Sequence, residues 1–286
     1  MSDSAERGVL SDLGGHVAAA EVAEMAAALD LTRADLGQLM RHLLPLAQAG
    51  AVVPLSGFAV GAVAAGMAAD GAWPDLFFGA NLEFEHAGPG FSLHAEQAAV
   101  NQAWLRGAMG VSALAVSAAP CGFCRQFLRE LAGWEALEIW LPGGAEATSL
   151  AELLPDSFGP EALSVRGGLM ERAAPSEEGA DAADVARAAA RLSYTPYLAG
   201  GAGVALQLAD DQLISGRLLQ NAAHNPGLSP LASALSFLHI TRPDAPRITR
   251  CVLARTRGGV DWALSTRWLL AQVAPGVELE ILEMEA

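Results

Sequence analysis

The sequence predicts an α/β layered fold that occurs twice in the chain, intact in the first copy and degenerate in the second, behind a small N-terminal helical segment. Two observations carry the α/β prediction. Short β-like runs alternate with helical segments from about residue 49 onward. A weaker version of the same pattern returns after residue 189, which indicates an internal repeat. Before residue 49, alanine and leucine recur at helical spacing instead.

The length of the chain fits more than one domain. It has 286 residues, of which 52% are hydrophobic, and so exceeds the usual size of a single domain. We expect a helical segment at 1–48, an intact α/β domain at 49–167, a linker at 168–188 and a degenerate domain at 189–286. The linker is expected where an acidic, alanine-rich stretch leads into a helix.

Local patterns predict the elements of the first copy in order. The spacing predicts two helices within 16–48. The following β-like runs predict strands near 58–64, 75–84, 113–119 and 137–142 and helices at 94–108 and 122–132. The most apolar run, at 57–69, has about 13 residues, whereas a helix that spans a bilayer needs roughly 18 or more. We therefore predict a buried strand and turn there, and no membrane partner.

Charge and cysteine content exclude several classes of function. The 17 basic residues face 32 acidic ones, and the formal net charge of -15 would repel a polyphosphate, so we expect no nucleic-acid partner. All the basic residues are arginine, which excludes Schiff-base and phosphate-loop lysines. Three cysteines are too few for a disulfide framework, and the N-terminus lacks the pattern of a secretory signal peptide. We expect a cytoplasmic protein.

The internal repeat separates packing from chemistry. Three parts of the copies align by eye: 55–62 with 198–205, Asn81 with Asn221, and LHAEQAAV at 93–100 with LSPLASAL at 228–235. Ser229 then stands at the position of His94. Leu231 stands at the position of Glu96. Because the apolar frame survives without them, we interpret His94 and Glu96 as residues for chemistry rather than for packing.

A Cys-x-x-Cys pair, Cys121 and Cys124, follows a predicted strand at a predicted helix start. Taken alone, it fits a redox pair, half of a structural zinc site or part of a catalytic metal site. A structural site needs four nearby ligands, whereas Cys251 lies in the other copy and no second Cys-x-x-Cys occurs. His94 supplies a third ligand, and three protein ligands with one open position are typical of catalytic zinc.

Glu96 lies two residues after His94, near the first turn of the same predicted helix. There it approaches a metal-activated water without being a ligand, so we assign it as the proton shuttle. His-x-Glu followed by Pro-Cys-x-x-Cys is the known signature of zinc nucleobase deaminases, and the chain matches it.

With these motifs, nearly the whole chain resembles the long, two-domain, homodimeric bacterial cytidine deaminases. The stretches that carry the resemblance are LSGFAVGA, FGANLEF, LHAEQAA, APCGFCRQFLREL, LPDSFGP and QNAAHNPGLSPL. The resemblance implies a three-layer α-β-α domain present twice, the second copy without zinc. It also implies one zinc ion per subunit, a homodimer, and hydrolysis of cytidine or deoxycytidine to the uridine nucleoside and ammonia in pyrimidine salvage.

The resemblance also assigns residues to the substrate. It implies that Asn81 and Glu83 bind the ribose 3′-hydroxyl and that Phe58 packs against the pyrimidine, although a Phe in an alternating strand also fits plain core packing. Three further residues are expected at the site of the partner subunit: Phe158, Ala223 and His224. The relatives carry an aromatic residue at the position of His224.

Two rival functions stay open on the sequence. A catalytically idle, zinc-stabilised dimeric binding module would not need Glu96. A polynucleotide cytosine deaminase would bind nucleic acid in a manner that weakens as salt rises.

Overall fold

A computed structural model describes residues 3–172, 179 and 181–285 of the chain. Its helices are α1 (Asp3–Asp12), α2 (Ala19–Ala28), α3 (Leu36–Ala49), α4 (Ala95–Leu105), α5 (Gly122–Leu128), α6 (Leu150–Leu153), α7 (Ala182–Arg191), α8 (Pro230–Thr241) and α9 (Ala263–Val273). Its strands are β1 (His16–Val17), β2 (Gly61–Gly66), β3 (Leu76–Ala80), β4 (Val111–Val116), β5 (Glu138–Trp140), β6 (Thr148–Ser149), β7 (Ala202–Leu208), β8 (Leu213–Arg217), β9 (Ile248–Thr256) and β10 (Leu279–Met284).

The first sheet is enclosed between helices. Its strands follow the order β1-β3-β2-β4-β5-β6, with β4 and β5 parallel and the other neighbours antiparallel. Gly61 of β2 faces Gln48 of α3, and a Cβ there would overlap the helix backbone. On the opposite face, Gly79 of β3 meets Ala95 and Ala99 of α4 equally closely. The predicted three-layer α-β-α domain is therefore confirmed.

The second sheet repeats this plan. Its order is β10-β9-β7-β8, with β9 and β10 parallel and the other pairs antiparallel, which reproduces β5-β4-β2-β3 of the first sheet. Helix α7 packs on β7 and β9, and helix α8 packs on β7 and β8. Gly203 faces α7 as Gly61 faces α3, and Gly216 faces α8 as Gly79 faces α4. The predicted duplication is confirmed.

The structure corrects part of the repeat alignment. In the first copy Leu82 forms β-bridges with Val52 and Leu93, and in the second Leu219 forms the same bridges with Tyr194 and Leu228. Leu82, Val52 and Leu93 are therefore equivalent to Leu219, Tyr194 and Leu228. These pairs confirm the alignment of 93–100 with 228–235. They place Leu218, not Asn221, at the position of Asn81. Residues 55–62 match 197–204, one residue earlier than the sequence alone indicates. The alignment failed because the connection from β8 to α8 is shorter than that from β3 to α4, and the shared amide of Asn81 and Asn221 hid the difference.

Each copy begins with a helix that packs on its own sheet. Helix α3 contacts β2, β3 and β4, although the sequence assigned it to the helical segment 1–48. The expected boundary at 189 falls inside α7, which contacts β7, β8 and β9. Residues 173–178 and 180 of the expected linker lie outside the described residues.

The two copies share one core between their sheets. Its buried residues come from both sheets and from the inner helices α4 and α8. Where these helices meet, Asn101 Nδ2 donates to the Ser233 carbonyl at 2.9 Å and Ser233 Oγ donates to Asn101 Oδ1 at 2.7 Å. The apolar run 57–69 contains β2, which is fully buried as predicted. In the described part of the chain, no helix has the length and apolar character needed to cross a membrane.

Candidate active site

Helix α4 begins at the candidate site. His94 is its N-cap, with an extended backbone at φ -91 and ψ 156, and its N–H donates to Gln97 Oε1 at 3.2 Å. Glu96 lies in the first turn, where the positive end of the helix favours a carboxylate. Its side chain is nevertheless buried, with 4% exposed. The start of α4 thus presents an imidazole and a buried carboxylate side by side.

Helix α5 brings the two cysteines to His94. Cys121 is its N-cap, and Cys124 lies buried in the first turn. The Nδ1 atom of His94 is 3.5 Å from Cys121 Sγ and 3.2 Å from Cys124 Sγ. All three donor atoms lie within 4.8 Å of one another. Ligands of a tetrahedral zinc ion would be about 3.5 Å apart for sulfur and nitrogen, so the donor set and its spacing fit zinc.

The ionisable groups of the site influence one another. Desolvation by burial raises the pKa of Glu96 above its ordinary value. A hydrogen bond from Cys124 lowers the pKa of Cys121 to about 4, and the same contact raises the pKa of Cys124. The lowered pKa of Cys121 favours its thiolate, which is the form of cysteine that binds a metal.

A cavity of about 290 Å³ opens beside these groups. Small-molecule sites begin near 300 Å³, so the cavity suits a ligand of modest size. Phe58, Asn81, Glu83 and Glu96 line it together with His94 and Cys121. Phe58 is 62% exposed, so the interpretation as plain core packing is wrong.

Asn81 and Glu83 also hold the loop that carries Phe58. Asn81 Oδ1 accepts the N–H of Val60 at 2.8 Å, and its Nδ2 donates to the Phe58 carbonyl at 2.9 Å. Glu83 Oε2 accepts the N–H groups of Leu55 and Ser56 at 2.9 and 3.0 Å. Partial desolvation raises the pKa of Glu83, but the hydrogen bonds from this loop outweigh it and leave the pKa below its ordinary value.

Ser56 belongs to the site although the sequence did not single it out. Its hydroxyl donates to Glu83 Oε1 at 2.6 Å and accepts the N–H of Phe58 at 3.1 Å. It also lines the cavity. Its place two residues before Phe58 in LSGFAVGA was the available signal.

The three residues expected at a partner's site lie elsewhere. Phe158, Ala223 and His224 are not among the described residues that line this cavity. Phe158 is 48% exposed, and His224 has a left-handed backbone with φ 62. The cavity wall is built from the first copy alone.

Comparison with known sequences agrees with this geometry. Two family models, each described as "Cytidine and deoxycytidylate deaminase zinc-binding region", match residues 33–136 and 150–265. Cytidine deaminase of Aeromonas salmonicida is 43% identical over 76% of this chain and 73% of its own length. The chain belongs to the cytidine deaminase family. It is a long-form, two-domain member, and its His94, Cys121 and Cys124 group fits zinc as the cofactor.

Two further proteins are similar to the chain. Cytidine deaminase of Aeromonas hydrophila subsp. hydrophila is 42% identical over 84% of this chain and 80% of its own length. The crystal structure of cytidine deaminase from Mycobacterium tuberculosis aligns with 43% of this chain and 96% of its own, at 37% identity and a TM-score of 0.37.

Proposed function

We propose that the chain hydrolyses cytidine and deoxycytidine to uridine and deoxyuridine with release of ammonia, as an enzyme of pyrimidine salvage in the cytoplasm. One observation carries the proposal. The buried Glu96 shares the wall of a small cavity with Asn81, Glu83 and two of the three grouped metal-binding side chains, His94 and Cys121. A proton carrier, a metal and polar groups for a sugar then surround one ligand.

The chemistry assigns one task to each group. His94, Cys121 and Cys124 would hold zinc, which when bound lowers the pKa of a water from about 15.7 toward 7. Glu96 takes a proton from the attacking water and delivers it to N3 of the pyrimidine. It then moves the proton of the hydroxyl added at C4 to the amine, and the C4–N bond breaks to release ammonia as C4 becomes a carbonyl. Burial favours the protonated form of Glu96, which suits a group that must carry the proton between these steps.

Spare hydrogen-bonding capacity supports contact with the ribose. An amide NH₂ has two donors, and the Phe58 carbonyl takes one of those of Asn81. A carboxylate accepts at about four positions, and Glu83 uses three of them on the loop. One donor and one acceptor thus stay free for the 3′-hydroxyl, while Phe58 offers its ring to the pyrimidine.

Exposed apolar side chains support a homodimer. Phe58, Phe158 and Leu264 are 62%, 48% and 77% exposed, and a subunit interface would remove such side chains from water. In the dimer, Phe158, Ala223 and His224 of each subunit would complete the site of the other. Light scattering of the purified chain should give twice the chain mass, and a monomer would refute this arrangement.

Substitution of Glu96 tests the function directly. Cytidine turnover, followed by ultraviolet absorbance, should fall more than about 100-fold in Glu96→Gln while the zinc content is unchanged. Unchanged turnover would remove Glu96 from the mechanism. Absence of turnover in the zinc-loaded wild-type protein would favour the idle binding module.

The polynucleotide alternative has its own test. The net charge of -15 and the carboxylate of Glu83 beside the cavity oppose a phosphate backbone. We expect no binding of single-stranded DNA or RNA even at low salt. Salt-sensitive binding with deamination of the bound strand would favour the alternative.

A further inference from the structure

Helix α5 holds two distant segments close to its zinc ligands. Gln126 lies two residues after Cys124. Its Nε2 donates to the carbonyl of Phe158 at 2.8 Å, and its own carbonyl accepts from Asn221 Nδ2 at 3.0 Å. We call residues 157–161 the Phe158 segment and residues 221–224 the Ala223 turn. One residue of the zinc helix thus contacts both.

The residues that follow strengthen each attachment. Arg129 Nε donates to Ser157 Oγ at 2.7 Å, and its guanidinium pairs with Glu161. Glu130 accepts the N–H of Ala222 at 2.9 Å. Arg129 and Glu130 are buried. Each segment is therefore tied to the end of α5 at more than one point.

The amide of Asn221 also shapes the Ala223 turn. It is fully buried, and its Oδ1 accepts the N–H of Ala223 at 3.0 Å while lying 3.4 Å from Gln126 Nε2. The two side-chain amides therefore meet between the two segments. A change at Gln126 would disturb the Phe158 segment through its carbonyl and the turn through Asn221.

These attachments hold both segments outside the subunit's own cavity. Gln126 binds the backbone of Phe158, and the side chain of Phe158 is left half exposed. Among the described residues, neither segment contributes to the cavity beside Glu96. We propose that Gln126 is a positioning residue for the active site of the partner subunit, to which it presents both segments. The proposal rests on the homodimer of the proposed function.

The first test removes the amide and keeps the volume of the side chain. In Gln126→Met the KM for cytidine should rise about fivefold, which corresponds to the free energy of one hydrogen bond. The kcat and the zinc content should stay near those of the wild type. Gln207→Met is the matched control. Gln207 is half-buried on β7 and its Nε2 donates to Asp211 Oδ1 at 3.1 Å, so the KM of this variant should not change.

Mixed dimers separate action on the partner from action within one subunit. Two differently tagged chains are co-expressed, and dimers that carry both tags are isolated. In the first mixed dimer, a Gln126→Met chain pairs with a Glu96→Gln chain, so the live site receives segments held by an intact Gln126. We expect the wild-type KM. In the second, a wild-type chain pairs with a chain that carries both substitutions, and we expect the raised KM.

The outcomes separate the two proposals. A raised KM in the first mixed dimer and a wild-type KM in the second would show that Gln126 acts within its own subunit. Equal KM values in both would show no positioning role toward the partner's site. Either result overturns the proposal for Gln126. Failure to obtain any two-tagged dimer from the wild-type chains would instead overturn the homodimer. If thermal unfolding shows that Gln126→Met is misfolded, Gln126→Glu takes its place. This variant places an acceptor against the Phe158 carbonyl and should give the same KM values in the two mixed dimers.

Discussion

The two copies differ most where their inner helices begin. Ser229, at the position of His94, caps α8 by accepting the N–H of Ala232 at 3.2 Å. The imidazole of His94 instead lies against two sulfur atoms. Leu231 is fully buried at the position of Glu96. The second copy fills these positions with residues that suit a helix start and a core, and the first fills them with residues that suit a reaction.

The third helix of each copy shows the same contrast. Cys121 and Cys124 are the N-cap and third residue of α5, and Trp262 and Ser265 hold those places on α9.

The residues that hold the loop before the first central strand, which we call the loop anchors, are Glu83 in the first copy and Gln220 in the second. Gln220 Oε1 accepts the N–H groups of Tyr197 and Leu198 at 3.0 and 2.9 Å, as Glu83 does for its own loop. Holding the loop therefore does not require a negative charge.

The largest expected effect follows from the helix that carries the cysteines. Cys124→Ser should remove zinc and lower cytidine turnover more than about 100-fold. This loss exceeds the usual effect of losing a residue that only contacts a metal ligand, because here the proposed ligand itself is lost. Ser265→Cys, at the equivalent place in the second copy, should leave zinc content at one ion per chain and turnover unchanged. Elemental analysis and the absorbance assay measure both. Full zinc content in Cys124→Ser would break the contrast between the copies.

The contact between the inner helices gives the next effect. Asn101→Ala should lower the free energy of unfolding by about 2 kcal/mol, because it leaves the buried hydroxyl and carbonyl of Ser233 without that partner. Ser236 stands at the position of Asn101 in the second copy, and its buried Oγ has no hydrogen-bond partner among the described residues. Ser236→Ala should therefore cost little. Urea unfolding compares the two, and equal losses would contradict the prediction.

The loop anchors separate a structural role from a binding role. Glu83→Gln should keep the loop, as Gln220 does, yet raise the KM for cytidine about tenfold, because the charge-assisted hydrogen bond to the ribose that we propose would become a neutral one. Gln220→Glu should not alter KM. Steady-state kinetics with both variants decides, and an unchanged KM in Glu83→Gln would reduce its role to holding the loop.

Local signals predicted the chemistry of the site better than its geometry. His94, Glu96, Cys121 and Cys124 could be found because each motif lies within one short segment at a helix start. The alignment of Asn81 with Asn221 failed because residue identity says nothing about loop length. The contacts of Gln126 with Phe158 and Asn221 could not be predicted, since they join α5 to segments 32 and 95 residues away in the sequence, the second of which lies in the other copy.

The smallest expected effect concerns pH and the contact of α8 with the first copy. His239 Nε2 donates to the Gly50 carbonyl at 2.6 Å, and desolvation by burial lowers the pKa of His239. The imidazole therefore binds a proton more readily in the unfolded chain than in the folded one. The stability that the neutral ring supports is complete above the pKa of the unfolded state, near 6.5. It is lost as the pH falls below that value. The slope is at most about 1.4 kcal/mol per pH unit. In His239→Gln the fall in unfolding free energy between pH 7 and 5.5 should be smaller than in wild type. The exposed His42 provides the control, and an equal reduction in His42→Gln would show that His239 is not the source.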